Sequence, residues 1–220
     1  MSNELKQCFQ DDESIELGID EVGRGCLAGP VCVAACIWPH TEDPILQKKF
    51  RICDSKKLSK KKRKESCEYI KNTAIAYSIQ WGDNDMIDKY NILETTKQIM
   101  HKCIDDIIKQ LKGKNLKLNR ILVDGPHFEP YLDDDFECIP FECIIKGDNV
   151  YKSIAAYSIL AKETRDKYME DITLKNPEIY GKYGWKNNKA YGTTQHIDAI
   201  KQYGITQLHR KTFGICKNYT

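Results

Sequence analysis

Runs of alternating and of continuous apolar residues predict the elements of the first half of the chain. Residues 15–21 alternate between apolar and polar types, which is the pattern of a half-buried β-strand. Residues 31–38 are all apolar and lie between two prolines, so we expect a second strand, buried on both faces and paired with the first as a hairpin. A helix capped by Ser59 and running to about Lys71 precedes a third, alternating strand at 74–81.

The second half of the chain alternates short apolar strands with helices. Apolar residues recur at three- and four-residue steps from Leu93 to Leu111, which is typical of a long helix that ends near Gly113. The elements predicted after it are a buried strand at 120–124, a strand near 138–145, a helix from Lys152 to about Asp171, a loop at 177–192, and a helix at 194–203 that ends at Gly204.

This order of elements predicts an α/β fold in one domain. Three strands, a helix, two strands and further helices form a mixed five-stranded sheet flanked by helices, with a small helical appendage at the C-terminus. We expect residues 1–14 to be an N-terminal extension and residues 15–220 to form the domain that carries the function.

The distribution of charge is more informative than its sum. The 220 residues include 34 Lys and Arg and 32 Asp and Glu, so the net charge of +2 does not by itself indicate a nucleic-acid-binding protein. Ten of the basic residues nevertheless lie at positions 48–64, beside a single acid, Asp54. We call residues 48–64 the basic segment, and it is either a surface that binds phosphates or an ordinary solvated helix face.

No segment of the sequence is typical of targeting or of membrane insertion. The first 17 residues are acidic and lack an apolar core, and the longest apolar run has 8 residues, whereas roughly 20 span a bilayer. The ten cysteines include no CxxC pair and no zinc-site spacing, so we expect reduced, buried thiols. These features predict a cytoplasmic protein in a reducing compartment, with no membrane partner.

Carboxylates follow two of the predicted strands where their apolar residues end. Asp20 and Glu21 end the first strand, and Asp124 ends the strand at 120–124. If these strands are parallel neighbours, Asp20 and Asp124 converge at one edge of the sheet, and Asp148, which follows the next strand, joins them. Gathered acids repel one another unless a cation joins them, and hard oxygen ligands suit Mg²⁺ or Mn²⁺. Taken singly, each acid is equally compatible with a turn or a helix N-cap.

A Gly-Arg-Gly sequence just after the first acids has the chemistry to hold a phosphate. Gly23 and Gly25 allow the backbone to approach a ligand closely, and the guanidinium of Arg24 binds phosphate through two donors. The same tripeptide is also common in turns. Tyr191 and His196, farther along the chain, are either functional or ordinary surface residues.

Five groups of residues, in register, resemble the motifs of type 2 ribonuclease H, or ribonuclease HII. Together they cover about residues 15–213. They are 18–25 with 27–31; 54–59; 122–125; 146–148 with 153–162 and 165–166; and 189–193 with 196 and 209–213. The resemblance implies a ribonuclease H-like fold. It also implies an endoribonuclease that hydrolyses the RNA strand of RNA–DNA hybrids and cleaves 5′ of single ribonucleotides embedded in duplex DNA.

The resemblance also implies a role for individual residues. Asp20, Glu21, Asp124 and Asp148 are implied to be catalytic and to bind two divalent ions, Mg²⁺ or Mn²⁺, so that hydrolysis leaves 5′-phosphate and 3′-hydroxyl ends.

The implied substrate-binding residues lie outside these four carboxylates. Gly23, Arg24 and Gly25 are implied to grip the backbone and sense the 2′-hydroxyl, Lys56 to contact a phosphate, and Tyr191 to stack at the RNA–DNA junction. The implied partners are RNA–DNA hybrid and duplex DNA containing ribonucleotides, and we expect a monomer.

Two residues depart from the family pattern. Ala190 stands where glycine usually precedes the tyrosine, and its methyl group restricts the backbone beside Tyr191. Tyr157 stands in the buried helix where a small residue is usual, so we expect altered packing there.

Three other interpretations are weighed against ribonuclease HII. Type 3 enzymes, which add an N-terminal platform domain, are disfavoured because 14 residues precede the first strand. An inactive nucleic-acid-binding protein of this fold is disfavoured because all four acids are present. Another polynucleotidyl transfer enzyme, such as a resolvase, is disfavoured by the Gly-Arg-Gly sequence and Tyr191.

Overall fold

A computed structural model describes residues 5–219 and places five strands in one mixed sheet flanked by helices. Their order is β3-β2-β1-β4-β5, where β1 is Glu16–Val22, β2 is Val31–Ile37, β3 is Ala76–Gly82, β4 is Arg120–Asp124 and β5 is Phe141–Ile144. β1 pairs in parallel with β4, and β4 pairs in parallel with β5. The predicted fold class is confirmed. β2 lies beside β1 and is buried at every position.

The helices occupy the connections between strands and the C-terminal part of the chain. The α-helices of the described residues are α1 Pro44–Lys49, α2 Lys60–Thr73, α3 Asn84–Lys112, α4 Lys152–Lys175, α5 Pro177–Tyr180, α6 Trp185–Asn188 and α7 Thr194–Tyr203. Short 3-10 helices lie at Ser55–Lys57, Gly147–Asn149, Gly181–Tyr183 and Gly214–Tyr219. Ser59 caps α2 as predicted, since its hydroxyl accepts a hydrogen bond from the Lys62 N–H.

Helix α3 begins earlier than the apolar repeat predicts. Its first turns start after Asp83, whose carboxylate accepts the Met86 N–H at 2.7 Å. Asn91 then interrupts the helix with a φ of 66°. Its side-chain oxygen accepts the N–H groups of Leu93 and Glu94 at 2.9 and 3.1 Å, so it caps a second helical part. The periodicity therefore predicts only this second part.

The prediction of a loop at 177–192 is wrong, because short helices occupy most of it. Pro177 stands in the first turn of α5, where its fixed φ favours a helix. Three buried aromatic residues lie among the polar residues of this segment. Tyr180, Tyr183 and Trp185 are all buried, and the rings of Tyr180 and Trp185 stack at 4.9 Å. The burial of these rings fixes the segment as successive helical turns.

Contacts between residues divide the chain into two compact units. Unit 1 consists of Met1–Asp20, Val33–Gln80 and Lys97–Glu163, and unit 2 consists of Glu21–Cys32, Trp81–Thr96 and Thr164–Thr220. The predicted boundary between an extension at 1–14 and a domain at 15–220 stays a prediction. Within unit 1, Lys6 lies inside the predicted extension and pairs with the chain before α4. Its N–H donates to the Val150 carbonyl at 2.8 Å, and its carbonyl accepts the Lys152 N–H at 2.9 Å.

Unit 1 packs the start of α4 closely against β1. Tyr157 of α4 is fully buried, and its ring occupies the space that a Cβ atom at Gly18 would enter. Glycine at position 18 therefore accommodates the large side chain at position 157, where the family pattern has a small one. Also within unit 1, the Cys103 thiol of α3 donates to the Val33 carbonyl of β2.

Unit 2 is built around the aromatic residues of α5 and α6. Its core combines them with residues of the 26–30 loop, α4, the turn after α6, α7 and the C-terminal segment, among them Leu27, Ala28, Met169, Ala190, Ile200 and Cys216. The loop that carries the Gly-Arg-Gly sequence therefore rests on a packed apolar base.

All ten cysteines lie within the described part of the chain and carry free thiols. Six of them are buried, while Cys138 and Cys143 are exposed. None of the helices within residues 5–219 is long and apolar enough to cross a membrane.

Candidate active site

In unit 1, the carboxylates Asp20 and Asp124 follow a paired position on two neighbouring strands. β1 and β4 are parallel, and the last pair in their register is Ile19 with Val123. Asp20 and Asp124 are the next residues of the two strands, so their backbones are neighbours at this edge of the sheet, and the convergence of their carboxylates stays a prediction. Asp124 is in turn paired with Ile144 of β5.

The Asp124 carboxylate lies in an environment that disfavours its charge. Burial raises its pKa, and the negative charge of Asp148 raises it further. The N–H of Gly147, which donates to Asp124 Oδ1 at 2.9 Å, and the positive charge of Lys56 act in the opposite direction. Asp148 and Lys56 therefore both lie within electrostatic reach of Asp124.

Asp148 also lines a cavity of about 590 Å³ within unit 1. Four cationic side chains and two further acids share its wall, namely Lys48, Arg51, Lys57, Lys152, Glu42 and Asp54. Three of these cations belong to the basic segment. The basic segment therefore borders the same acid that the strand ends predict for the site.

The donor set around Asp124 fits a hard divalent cation. Two carboxylates close enough to raise a pKa supply oxygen ligands and mutual repulsion that a cation relieves. Within residues 5–219, however, the side chains are not arranged as a group of three or more Asp, Glu, His or Cys ligands. The assignment of four metal-binding carboxylates therefore stays a prediction.

In unit 2, Glu21 and the Gly-Arg-Gly sequence form one local arrangement. Arg24 donates to Glu21 Oε1 at 3.0 Å, and the arginine side chain is 41% exposed while that of the glutamate is 11% exposed. Gly23 has a φ of +96°, and a Cβ atom there would overlap the guanidinium of Arg165. Glycine is thus required at position 23, whereas open space surrounds Gly25 and nothing in the structure requires glycine there.

Tyr191 presents part of its ring to solvent, while its backbone is held in place. The residue as a whole is 39% exposed, and its backbone forms an isolated bridge with Cys26. Burial of the hydroxyl raises the pKa of Tyr191 to about 12. Ala190 adopts a φ of +66° and its carbonyl accepts the Leu27 N–H at 2.9 Å. Alanine therefore takes the left-handed conformation that glycine adopts without strain.

His196 is a buried residue of unit 2, so the surface interpretation is wrong. Its Nε2 accepts the Trp185 indole N–H at 2.9 Å and lies 3.1 Å from Nε2 of His209, and its Nδ1 lies 3.1 Å from the Tyr191 carbonyl. His209 Nδ1 accepts the Thr206 N–H at 2.8 Å. Each contact has a donor when both rings are neutral, with His196 donating from Nδ1 and His209 from Nε2. The single lone pair of His196 Nε2 is then shared between the Trp185 and His209 N–H groups.

Sequence reasoning missed two buried arginines that surround the Gly-Arg-Gly loop. Arg165 and Arg210 both have no exposed surface, and burial lowers the pKa of Arg210 to about 10. Both lie in segments that resemble the family, which was the available signal. Their partners, however, are backbone carbonyls in distant parts of the sequence, so no spacing rule reveals them.

Comparison with known proteins gives matches over nearly the whole chain. The sequence model of the family described as Ribonuclease HII matches residues 17–216. A Ribonuclease HII of Parabacteroides distasonis is 43% identical over 207 residues, which cover 94% of this chain and 94% of that protein.

Two solved structures share the fold. RNase HII in the PCNA:RNase HII complex from Archaeoglobus fulgidus has a TM-score of 0.67 and 27% identity, over 91% of this chain and 96% of that chain. Bst-RNase HIII in complex with Mn²⁺ has a TM-score of 0.70, over 94% of this chain and 69% of that chain. The second likeness, at 20% identity, concerns the fold alone.

Proposed function

Because the chain belongs to the ribonuclease HII family, we propose that it hydrolyses the RNA strand of RNA–DNA hybrids and cleaves 5′ of single ribonucleotides embedded in duplex DNA. The family relationship makes the chain a ribonuclease, a hydrolase that acts on nucleic acid and depends on divalent metal ions. The substrate, the position of cleavage and action as a monomer are the proposal.

The observation that carries the proposal is the position of Asp20 and Asp124 after the last pair of two parallel strands, with Asp148 acting electrostatically on Asp124. Ligands of open α/β sheets bind at the carboxyl ends of strands. Repulsion between carboxylates at that edge supports a cationic ligand. The basic side chains that border Asp148 support an anionic substrate such as a phosphodiester.

In this proposal Asp20, Glu21, Asp124 and Asp148 hold two Mg²⁺ or Mn²⁺ ions. When bound, such ions lower the pKa of a water for attack and stabilise the leaving 3′-oxygen. The backbone N–H of Gly147 holds Asp124 Oδ1 in place. This hydrogen bond orients the carboxylate before any ion arrives, and the charge of Lys56 favours its ionised form.

In the same proposal, other residues hold the substrate. Arg24, Gly23 and Gly25 bind the backbone and sense the 2′-hydroxyl, Lys56 contacts a phosphate, and the partly exposed ring of Tyr191 stacks at the junction. None of these groups reads base sequence, so shape, phosphate and the 2′-hydroxyl mark the target. The ion pair of Arg24 with Glu21 is compatible with this role, because the guanidinium retains exposed donors.

The test is cleavage of a duplex that contains one ribonucleotide, beside the same duplex without it. We expect Mg²⁺- or Mn²⁺-dependent cleavage 5′ of the ribonucleotide, giving 5′-phosphate and 3′-hydroxyl ends, and no cleavage of the all-DNA control. Asp124→Asn keeps the shape and removes the charge, so activity should fall about a hundredfold or more. Asp198→Asn, at an exposed acid of α7, is the matched control.

The same experiment separates the alternatives. Cleavage of the all-DNA duplex indicates a different polynucleotidyl transfer enzyme of this fold. Binding without cleavage, with every metal tried, indicates an inactive binding protein. An Asp124→Asn enzyme within about tenfold of the wild type contradicts the assignment of Asp124 as a metal ligand.

A further inference from the structure

We propose that Arg165 is a positioning residue that holds the Gly-Arg-Gly loop and Tyr191 together as one recognition surface. The inference rests on the proposed function, because it concerns the two elements to which that function assigns recognition of the ribonucleotide and of the junction. It adds a residue to which the proposed function itself gives no role. All of the contacts that carry it lie within unit 2.

The guanidinium of Arg165 bonds to backbone on both sides of the proposed surface. Nε donates to the Pro30 carbonyl at 3.0 Å and Nη2 to the Ala28 carbonyl at 3.3 Å, both in the segment that follows the Gly-Arg-Gly sequence. Nη1 donates to the Lys189 carbonyl at 3.0 Å, two residues before Tyr191. One fully buried side chain of α4 thus fixes two segments that are far apart in sequence.

Packing reinforces these hydrogen bonds. The guanidinium occupies the space that a side chain at position 23 would need, so the Gly23 backbone lies directly against it. Its central carbon is 5.9 Å from the centroid of the Tyr191 ring, within the range of a cation–π interaction. Arg165 therefore contacts the proposed 2′-hydroxyl sensor through its backbone and the proposed stacking residue through its ring.

Arg210 provides a useful contrast, because it supports the loop alone. Its guanidinium donates to the carbonyls of Gly23 at 2.8 Å, Arg24 at 2.7 Å and Gly29 at 2.9 Å. These three acceptors all belong to the loop, whereas the acceptors of Arg165 also include the chain beside Tyr191. Of these two buried arginines, Arg165 is the one that bonds to both recognition elements, in addition to the direct backbone contacts between them.

Lysine cannot replace arginine in this role. The three carbonyls lie around a planar group whose donors point in fixed directions, and a lysine ammonium presents its three donors from a single atom. Arg165→Lys retains the positive charge and most of the volume but cannot make the three hydrogen bonds at once. This variant therefore tests the positioning role of Arg165 separately from its charge and its volume.

The first measurement is the ratio of kcat/KM for a duplex with one embedded ribonucleotide to kcat/KM for a long RNA–DNA hybrid. A long hybrid presents a 2′-hydroxyl at every step. Its cleavage therefore depends less on the exact position of the loop and Tyr191 at an RNA–DNA junction. In Arg165→Lys we expect the ratio to fall by about tenfold, mainly through KM for the single-ribonucleotide duplex.

The matched control is Arg120→Lys in unit 1. Arg120 is also mostly buried and donates to Glu16 at 2.6 Å, so its replacement lowers stability by removing a guanidinium hydrogen bond. It lies in neither recognition element, and its ratio should equal that of the wild type. Stability of all variants is followed by urea denaturation.

The second measurement does not depend on activity. Cys26 lies in the loop, is fully buried, and its thiol contacts the Lys189 carbonyl that Arg165 also bonds. If Arg165 holds these segments together, Arg165→Lys should make Cys26 react faster with iodoacetamide by about tenfold, as located by peptide mass spectrometry. Cys36, fully buried on β2, should stay unreactive in every variant.

The outcomes are distinct. A lower ratio together with faster labelling of Cys26 supports the inference. An unchanged ratio in an active enzyme, or equal losses on both substrates with Cys26 still protected, overturns it. If the wild type cleaves neither substrate, the proposed function fails on its own, and the labelling of Cys26 still decides whether Arg165 holds the two segments together.

Discussion

Tyr191 combines a fixed backbone with a partly exposed ring. Its N–H donates to the Asn188 carbonyl at 2.9 Å, and its own carbonyl lies 3.1 Å from His196 Nδ1. The residue as a whole is 39% exposed. A side chain held in this way can stack on a sugar or base with little further loss of conformational freedom.

We therefore expect Tyr191→Ala to reduce cleavage at a single embedded ribonucleotide by about ten- to a hundredfold, since stacking contacts contribute roughly 1–3 kcal/mol. The measurement is kcat/KM on that duplex and on a long RNA–DNA hybrid. Tyr191→Phe retains the ring and should stay close to the wild type. Equal losses on both substrates would show that Tyr191 has only a packing role.

At the residue scale, the sequence predicts the groups whose chemistry is local. Asp20 and Asp124 are identified because an apolar strand ends at each of them, and Gly23 because it flanks an arginine. Arg165 and Arg210 are not identified, because their acceptors lie as many as 137 and 187 residues away. A buried guanidinium whose partners are backbone carbonyls leaves no pattern in the sequence.

The basic segment spans three elements of secondary structure, so it is not a single helix face. It includes the end of α1, the 3-10 helix at Ser55–Lys57 and the first turns of α2. Arg63 is set apart from the exposed lysines, because it is buried and pairs with Glu163 at 3.0 Å. The exposed lysines of α2 include Lys60, Lys61 and Lys64.

We expect replacement of Lys60, Lys61 and Lys64 by glutamine to weaken duplex binding without changing sequence preference. The slope of log K against log salt should flatten by about 0.9 for each phosphate that the protein no longer neutralises. The measurement is fluorescence anisotropy with a labelled duplex over a range of salt concentrations.

The control is the triple glutamine variant of Lys109, Lys112 and Lys114, which removes the same charge near the end of α3. If both triple variants keep the slope of the wild type, the exposed lysines of α2 are only a solvated face.

The buried histidine pair links α7 to the C-terminal segment and makes this part of unit 2 sensitive to acid. Burial, with a further effect of His196, lowers the pKa of His209 to about 3. An unfolded histidine titrates near pH 6.5. Between these values the unfolded chain binds a proton that the folded chain excludes, so stability falls as the pH falls. The expected loss from His209 between pH 7 and pH 5 is about 2 kcal/mol.

Urea denaturation of the wild type and of His209→Gln at pH 7 and pH 5 measures this effect. The variant should be less stable at pH 7 and should show a smaller change on acidification. His127→Gln, at an exposed histidine, should follow the wild type. A wild-type free energy of unfolding that is the same at both pH values would exclude the buried neutral pair.

At the element scale, periodicity predicts long helices and strands well. It predicts poorly the short helices that form because aromatic side chains are buried. The strands at 120–124 and 31–38 and the second part of α3 are found because their patterns are long or continuous. The helices within 177–192 are missed because each is about one turn long. Such turns exist because Tyr180, Tyr183 and Trp185 are buried, which is a tertiary effect.

At the scale of the whole molecule, the sequence predicts the sheet more completely than it predicts the site at the edge of that sheet. Element order and apolar pattern predict a five-stranded mixed sheet, since the order of strands and helices restricts the possible architectures. The pairing of β1 with β4 in parallel is not determined by that order, because β2 and β3 lie between them in sequence. Yet this pairing is what brings Asp20 beside Asp124, so the site depends on a long-range contact.

The stability of the whole molecule should therefore respond to the charge at this edge. Burial and Asp148 raise the pKa of Asp124, so the folded state disfavours the ionised carboxylate that it needs for binding a cation. For an acid with a raised pKa, this cost grows as the pH rises from the unfolded pKa to the folded pKa, and it is fully present above the folded pKa. Without metal, Asp124→Asn should consequently raise the melting temperature, because asparagine retains the oxygen that accepts the Gly147 N–H.

With metal, the melting temperature of the wild type should exceed that of Asp124→Asn. A divalent ion that binds only the folded wild type stabilises it by about 3 kcal/mol at a concentration of a hundred times Kd. Differential scanning fluorimetry with increasing Mg²⁺ or Mn²⁺ should show the melting temperature of the wild type rising past that of Asp124→Asn, while the variant changes little. Asp198→Asn should rise with the wild type. If Asp124→Asn gains as much stability from metal as the wild type, the ion binds elsewhere, and Asp124 does not bind the catalytic metal.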